Sequence, residues 1–215
     1  MEISDSSGKL WMSPDVTPLN MVQRLDYTFT QGSTYTITTA VAASDPVMFF
    51  SRITGSGGSF GCIMQQSGGF WQIVITAVYT ENGTPGNISA RFYIFSNSVL
   101  APSRYSIAYY DSGGIMRWHG EMRPLQLYQG AINNTAGGVF NTGFNCAVCP
   151  FFSSLYLISF SGGTPAIYQW AETAYSALGT NVRSNIVNVW TTNSSSYTTY
   201  SIPSFYYINT SMYDK

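Results

Sequence analysis

The chain has 215 residues, of which only 9% are charged and 16% are aromatic. Disordered proteins combine low hydrophobicity with high charge, and coiled coils need many Glu, Lys and Arg residues, so this composition excludes both classes. A net charge of −1 gives no electrostatic basis for binding nucleic acid or an anionic membrane. We therefore expect an all-β globular protein whose surface is polar through Ser, Thr, Asn, Gln and Tyr.

Residue periodicity predicts several strands in the first half of the chain. The segments 27–30 and 35–38 alternate apolar and hydroxylated residues around Gln31-Gly32-Ser33, which predicts a hairpin. Longer apolar runs predict strands covered on both faces at 47–50, 71–79 and 91–95. Gly and Ser clusters indicate turns at 55–59 and 67–69.

The second half has the same character. Alternation predicts strands at 104–110 and 197–202, and apolar runs predict strands covered on both faces at 155–160 and 205–208. Turns are indicated at 112–114 and 161–163, and one short helix is predicted over 171–178, ended by Gly179. Short strands at near-regular spacing are typical of β-sandwiches.

Comparison of the chain with itself at an offset of 106 residues indicates an internal duplication. Four pairs of segments match, the last after a slip in register: Asp5-Ser6-Ser7-Gly8 with Asp111-Ser112-Gly113-Gly114, Pro18-Leu19 with Pro124-Leu125, 49–51 with 155–157, and 92–94 with 205–207. In the first motif Asp caps a turn through its side chain, and Gly can adopt positive φ. The sequence therefore predicts two tandem β-sandwich-like domains, residues 1–104 and 105–215.

The N-terminal residues and the cysteines indicate synthesis in a reducing compartment. Residues 1–5 lack the basic start and apolar core of a signal peptide, and no apolar run is long enough for a transmembrane helix. Cys62, Cys146 and Cys149 are too few for a disulfide framework. Cys146 and Cys149 have CxxC spacing without a second pair, so we interpret them as small buried apolar side chains.

Two patterns resemble catalytic or metal motifs without their context. Gly57-Gly58-Ser59-Phe60-Gly61 fits a nucleophile motif, but no helix can follow, so a glycine linker or hairpin tip is favoured. His119 and Glu121 could ligate a metal only with a further ligand, and a hydrogen-bonded or solvated His at a turn is favoured. We expect no enzyme activity and no cofactor; no catalytic, cofactor-binding or metal-binding residues are predicted, and ligand-binding residues stay unassigned.

The five tryptophans have two interpretations. They are Trp11, Trp71, Trp118, Trp170 and Trp190. Aromatic residues on alternating strands are mostly core, while exposed Trp and Tyr rings can stack on sugars. Trp11 and Trp118 each follow the Ser-x-Gly turn of their half, which favours packing.

The segment from Ser106 to Met116, followed by Arg123-Pro124-Leu125-Gln126-Leu127, resembles the N-terminal hairpin of a phage protein family. These are small β-rich proteins of lambda-like bacteriophages with long flexible tails, encoded near tail-tip and host-specificity genes. Glu2 to Leu10 with Pro18-Leu19 resembles the same pattern. The resemblance covers about 40 of the 215 residues, and the acidic Asp-Ser step of the family is replaced by His119-Gly120 and Ser13-Pro14.

The resemblance implies a structural virion protein of the distal tail tip or tail fibre, assembled in the host cytoplasm. It implies other tail proteins as partners and a homo-oligomer, with a trimer as the first expectation, and residues 1–104 as the virion-docking part. A surface with little charge and many aromatics is suited to protein–protein burial. The alternative is a receptor-binding module that recognises host surface or glycan; a secreted lectin and an esterase are more distant alternatives. Neither nucleic acid binding nor membrane insertion is expected.

Overall fold

The structure is a computed structural model that describes residues 3–4, 10–12, 17–55, 58–80, 86–132, 136–163, 165–194 and 196–215. The described residues form an all-β protein with several sheets and a single short 3₁₀ helix. The predicted fold class is confirmed at that level. The strands of the first half, in chain order, are β1 (Ile3–Ser4), β2 (Leu10–Met12), β3 (Asn20–Thr30), β4 (Tyr35–Ala42), β5 (Val47–Ile53), β6 (Gly58–Ser67), β7 (Phe70–Thr80) and β8 (Asn87–Ser96).

In the part of the second half that the structure describes, the chain continues with ten strands and the 3₁₀ helix. The strands are β9 (Ala108–Tyr110), β10 (Met116–His119), β11 (Tyr128–Ala131), β12 (Gly138–Asn141), β13 (Cys146–Val148), β14 (Phe152–Ser161), β15 (Ile167–Leu178), β16 (Asn181–Thr192), β17 (Tyr200–Ser201) and β18 (Ser204–Asn209). The 3₁₀ helix spans Thr210–Met212. The five long apolar runs predicted as strands lie within β5, β7, β8, β14 and β18. The predicted strands at 104–110 and 197–202 are present only as β9 and β17.

Two sheets enclose the core of the first half. One has the order β3-β8-β5 and the other the order β4-β7-β6. Their inner faces supply one buried cluster, to which Phe29, Phe49 and Phe92 contribute from the first sheet and Phe60 and Ile73 from the second. Alternate residues of each strand face this cluster, as the period of two requires.

The second half repeats this scheme of strand pairing. Strand β18 pairs with β11 and β13, as β8 pairs with β3 and β5. Strand β16 pairs with β12 and β15, as β7 pairs with β4 and β6. A second buried cluster lies between these sheets and includes Val148, Tyr175, Val182, Phe205 and Tyr207.

This scheme corrects one pair of the self-comparison. At the constant offset, residues 49–51 of β5 were matched with 155–157, which lie in β14. The pairing scheme instead makes β13 the counterpart of β5. Strand β5 pairs with β8, and β13 pairs with β18, the strand equivalent to β8. Strand β14 pairs with β15 and β17 and has no place in the scheme of the first half.

One sheet crosses the predicted boundary at residues 104 and 105. Strands β5 and β13 pair through Ser51 and Val148, which gives the continuous order β3-β8-β5-β13-β18-β11. Strand β15 also pairs with β5 through Leu178 and Ile53. Both connections involve a single residue pair. The division into two domains stays a prediction, and the two halves share a sheet.

A third buried cluster covers the outer face of this shared sheet. Phe50, Tyr93 and Phe95 of the first half pack against Ile208 and Tyr213 of the second. Tyr213 is completely buried. Its hydroxyl donates to the Pro124 carbonyl at 2.9 Å and accepts from the Gln126 amide at 2.9 Å. The C-terminal segment therefore joins the two halves through an apolar contact with its polar atoms satisfied.

Asp214 extends this contact with a charged network. Its carboxylate lies 3.0 Å from Arg52 and from Arg91, and it accepts a 2.8 Å hydrogen bond from the Tyr93 hydroxyl. Burial alone would raise the pKa of Asp214, but the hydrogen bonds from Tyr93 and Arg91 and the positive charge of Arg52 outweigh it and lower the pKa. Arg91 also holds Asp26 through two hydrogen bonds, which lower the pKa of Asp26.

The segments Pro18-Leu19 and Pro124-Leu125, matched in the self-comparison, lie side by side. The Leu125 amide donates to the Leu19 carbonyl at 2.7 Å, and Asn20 forms an antiparallel bridge with Pro124. Leu19 and Leu125 both pack against the third cluster. The two matched segments thus meet at the joint between the halves.

The predicted hairpin around Gln31-Gly32-Ser33 is wrong. Strands β3 and β4 are there, but β3 pairs with β8 and β4 pairs with β7. The turn, in which Gly32 has a φ of 80°, carries the chain from one sheet to the other. Alternation predicts a strand without naming its partner, and here both partners are distant in sequence.

The predicted helix over 171–178 is also wrong, because these residues belong to β15. The two signals behind it are ambiguous. A short apolar run fits a buried strand as well as a helix, and residues 173–177 are all buried. Gly179 has a φ of 59° in the tight turn between β15 and β16, and both helix C-termini and hairpin turns use glycine in that conformation.

Tyr213→Ala tests the third cluster. We expect it to lower the free energy of unfolding by about 3 to 5 kcal/mol, because it opens a large cavity and leaves the Gln126 amide and Pro124 carbonyl without a partner. Urea unfolding followed by fluorescence measures this. The matched control is Tyr105→Ala, at a fully exposed tyrosine, where we expect almost no change. Equal losses in both variants would contradict the role of the cluster.

Candidate functional site

The Asp-Ser-x-Gly turn is a structural feature in the second half. The Asp111 carboxylate accepts hydrogen bonds from the Gly113 and Ile115 amides at 2.9 and 2.8 Å, and Gly114 has a φ of 77°. Arg117 pairs with the other carboxylate oxygen at 2.8 Å. The predicted capped turn is confirmed here, and its partner at Asp5-Ser6-Ser7-Gly8 lies outside the described residues.

Ser59 lies inside a strand instead of at an exposed turn. It belongs to β6, is 1% exposed and donates from Oγ to the Ile186 carbonyl at 3.0 Å. The expected glycine linker or hairpin tip is wrong for residues 58–61, which pair along β7, while Gly57 lies outside the described residues. Gly61 leaves room for Phe152, since a Cβ there would lie 2.2 Å from that ring. Ser59 and Gly61 therefore serve the packing between the halves.

His119 and Glu121 are both engaged in the turn after β10. The His119 Nε2 lies 2.8 Å from the Leu100 carbonyl, and Nδ1 accepts from the Glu121 amide at 3.3 Å. The Glu121 carboxylate accepts from the amide and hydroxyl of Ser103, and the amide bond contributes most to lowering the pKa of Glu121. The hydrogen-bonded alternative for His119 is the one observed, since the side chain is buried.

The three cysteines are buried free thiols. Burial raises the pKa of Cys62, Cys146 and Cys149. The interpretation of Cys146 and Cys149 as buried apolar side chains agrees with this environment. Among the described residues no group of His, Cys, Asp or Glu could hold a metal ion. Within the same residues, no helix has the length and hydrophobicity needed to cross a membrane.

The tryptophans divide between separate packing positions and a cluster on β15 and β16 in which Trp170 is buried and Trp190 is half-buried. The Trp71 indole donates to the Asp45 carbonyl at 2.8 Å, and Trp118 packs against Tyr109. Trp170 and Trp190 lie opposite each other on β15 and β16, and both contact the ring of Tyr197. The Trp11 side chain lies outside the part of the structure that can be described.

One apolar run predicted to be covered on both faces is exposed, which corrects that prediction. We define the arm as residues 156–161 of β14, 167–171 of β15 and 188–192 of β16. It carries five exposed aliphatic or aromatic side chains, each 41% to 57% accessible: Leu157, Ile158, Phe160, Ile167 and Val189. The inner ends of these strands are buried instead, as Ser153–Leu155 and 173–177 show. Apolar content alone could not separate the two environments.

Both edges of the arm lack a neighbouring strand among the described residues. Strand β17 pairs only with Ser154 and Leu155, so residues 156–161 of β14 are unpaired on that side. Strand β12 pairs only with residues 181–184, so residues 188–192 of β16 are unpaired on the opposite side. Unpaired strand edges readily add a further strand, and natural proteins usually protect them with charge, proline or a covering element.

The arm also contains no charged residue. From residue 124 to 213 the chain contains only two charged residues, Glu172 and Arg183. Neither lies within the arm. The unpaired edges of the arm therefore lack the charged side chains that usually protect a strand edge from pairing with another chain.

Aromatic rings line one face of the arm. Phe160 and Tyr168 lie opposite each other with ring centres 4.9 Å apart. Next to them, the ring centre of Tyr197 lies 5.4 Å from Trp170 and 5.6 Å from Trp190. The Trp170 indole nitrogen is buried without a hydrogen-bond partner in the structure. This face combines the exposed rings of Phe160 and Tyr197 with the buried ring of Trp170.

A cavity of about 650 Å³ lies beside the arm. Its lining includes Ser154, Leu155, Tyr156, Thr199, Tyr200 and Ser201. The Tyr200 hydroxyl donates to Glu172 at 3.4 Å across β14. Burial raises the pKa of Glu172, and burial together with the Glu172 charge raises the pKa of Tyr200 to about 12. The carboxylate of Glu172, close to the aromatic face, is thus partly buried.

Comparison with protein-family models, curated proteins and solved structures returned no match.

Glu172→Gln tests the environment of this carboxylate. A raised pKa in the folded state means that ionised Glu172 opposes folding, so its cost grows as pH rises from about 4.5 through the folded pKa. We expect the variant to have the higher melting temperature at pH 7, and the difference to vanish near pH 4. Thermal unfolding between pH 4 and 8 measures both proteins. A variant less stable than the parent at pH 7 would contradict the direction of the shift.

Proposed function

We propose that this protein is a structural virion protein of a bacteriophage tail, which assembles at the distal tail tip or tail fibre through contacts of the arm with further copies of itself. The phage setting comes from the resemblance of the Asp111 turn region to tail proteins. The observation that carries assembly is the arm: exposed apolar side chains between two unpaired strand edges.

The arm favours a second copy of the same chain as its occupant. An unpaired edge offers backbone amide and carbonyl groups, which are complementary to an identical edge. Copies that approach through the arm bring no like charges together, because the arm contains no Lys, Arg, Asp or Glu. The resemblance implies a threefold arrangement, and other tail proteins would bind the assembled copies.

The same scheme of pairing in both halves supports an internal duplication as the origin of the chain. In that proposal residues 1–104 and 105–215 descend from one β-sandwich-like unit, and β14 and the arm were added to the second. The first half would then dock to the virion, while the second carries the self-association surface.

The variant Leu157→Lys/Phe160→Lys tests assembly through the arm. We expect the parent protein to elute as an oligomer, with three times the chain mass of 23.6 kDa for a trimer, and the variant as a monomer. Two lysines on adjacent positions of the face would be buried without partners in the oligomer. Size-exclusion chromatography with light scattering gives the masses.

The control is Ile107→Lys/Ile115→Lys, which adds the same charge at exposed isoleucines next to β9 and β10. It should leave the oligomer intact. A parent protein that stays monomeric at high concentration, or a control that dissociates as fully as the arm variant, would contradict the proposal.

A second candidate function is receptor binding, which the cluster of Trp170, Tyr197 and Trp190 favours. Trp170 is buried and supports the other two rings, whereas Tyr197 is exposed and Trp190 half-buried. Accessible aromatic rings beside hydroxyls and a carboxylate are suited to stacking on a sugar and hydrogen-bonding its hydroxyls. The purified protein should then block adsorption of the virus to its host. We expect Trp190→Ala to weaken this block about tenfold or more, and Tyr105→Ala to leave it unchanged; no block by the parent protein would remove this candidate.

A further inference from the structure

A polar groove lies where the start of β3 meets the segment that follows β10. It has a volume of about 710 Å³, which is typical of sites for small molecules. Residues 21–24 of β3 form one wall, and residues 120–123 after β10 form another. These walls are held together by the hydrogen bond from the Met21 amide to the Arg123 carbonyl at 2.9 Å. A backbone hydrogen bond therefore fixes the two walls of the groove relative to each other.

Two guanidinium groups converge in this groove. Arg24 and Arg123 each donate from Nη1 to the same acceptor, the Tyr213 carbonyl, at 3.3 and 3.1 Å. Two positively charged groups therefore contact one neutral atom, the Tyr213 carbonyl oxygen. Each guanidinium has five N–H donors, and the Tyr213 carbonyl engages only one of them in each case. Arg104, whose side chain is 87% exposed, lines the same groove.

The nearby carboxylates are engaged elsewhere. Asp26 is held by Arg91, and Asp214 by Arg52, Arg91 and Tyr93. Glu121 accepts two hydrogen bonds from Ser103 and lies 3.7 Å from Arg104. Among the described residues, no carboxylate forms an ion pair with Arg24 or Arg123. Lys215 also lines the groove, so the four cationic side chains Arg24, Arg104, Arg123 and Lys215 face one acidic side chain, Glu121.

We propose that this groove binds a phosphorylated sugar, with its phosphate between Arg24 and Arg123. Paired guanidiniums match the geometry and charge of a phosphate group. Ser103, Glu121 and Gln23 supply polar groups for sugar hydroxyls, and Met21, Leu100 and Met122 supply apolar contact. The described lining contains no aromatic ring on which a nucleotide base could stack, which favours a sugar over a nucleotide.

Titration calorimetry of the full chain at low salt tests the proposal with glucose 6-phosphate, inorganic phosphate and glucose. We expect glucose 6-phosphate to bind with a Kd below about 1 mM, phosphate to bind more weakly, and glucose to give no signal. Amide shifts in a heteronuclear NMR spectrum should change at residues 21–24 and 120–123. Phosphate binding as tightly as the sugar phosphate, or no binding of either, would overturn the proposal.

Arg24→Gln/Arg123→Gln should weaken glucose 6-phosphate binding about tenfold or more, and Arg24→Lys/Arg123→Lys should retain part of it. Arg117→Gln is the matched control, because Arg117 pairs with Asp111 and does not line the groove. Thermal unfolding shows whether each variant is folded. Arg104→Gln, at an exposed side chain, should weaken binding a few-fold in a folded protein even if the double variant fails to fold.

A tetraglutamate peptide tests whether the groove binds an acidic protein segment instead of a sugar phosphate. If it binds more tightly than glucose 6-phosphate and loses affinity in the same variants, the groove is a site for an acidic protein segment and the sugar-phosphate proposal is wrong. Equal affinity of the parent, Arg104→Gln and Arg117→Gln proteins for glucose 6-phosphate would also overturn it.

Discussion

The joint between β5 and β13 is the contact on which the rest of the molecule depends. One residue pair, Ser51 with Val148, makes two three-stranded sheets continuous. A single pair of backbone groups contributes little net free energy, so the joint needs a second source of stability. Burial of Tyr213 against both halves and the network around Asp214 provide it. These contacts hold the two halves together.

The joint also concentrates the scarce charges of the protein. Asp26, Arg52, Arg91 and Asp214 neutralise one another across the halves, and Arg24 and Arg123 converge on the Tyr213 carbonyl beside them. Between residues 124 and 213 only Glu172 and Arg183 are charged. The described residues thus include a polar, cationic groove at the joint and an uncharged arm in the second half. The ligand that we propose for the groove is anionic, and the partner that we propose for the arm is a further copy of the chain.

Much of the strand content could be predicted from periodicity, because alternating side chains on opposite faces of a strand produce the pattern directly. The partners could not. Strands β3 and β4 are adjacent in sequence but belong to different sheets. Strand β15 is an apolar run followed by Gly179, a pattern that also fits a helix. The candidate site was missed for a similar reason. Residues 155–160 read as a covered strand, but their exposure depends on whether another strand lies beside and above them.

By itself the sequence determined the all-β class, the capped turn at Asp111 and the low surface charge, since these depend on residue type and on neighbours a few positions away. It also contained the matched Pro-Leu segments, which turned out to lie against each other at the joint. Only the tertiary structure decided which strands pair, which apolar residues are exposed on the arm and that Arg24 and Arg123 meet. Those properties depend on contacts that a local pattern does not specify, such as those of Arg24 and Arg123 with Tyr213, 189 and 90 positions away.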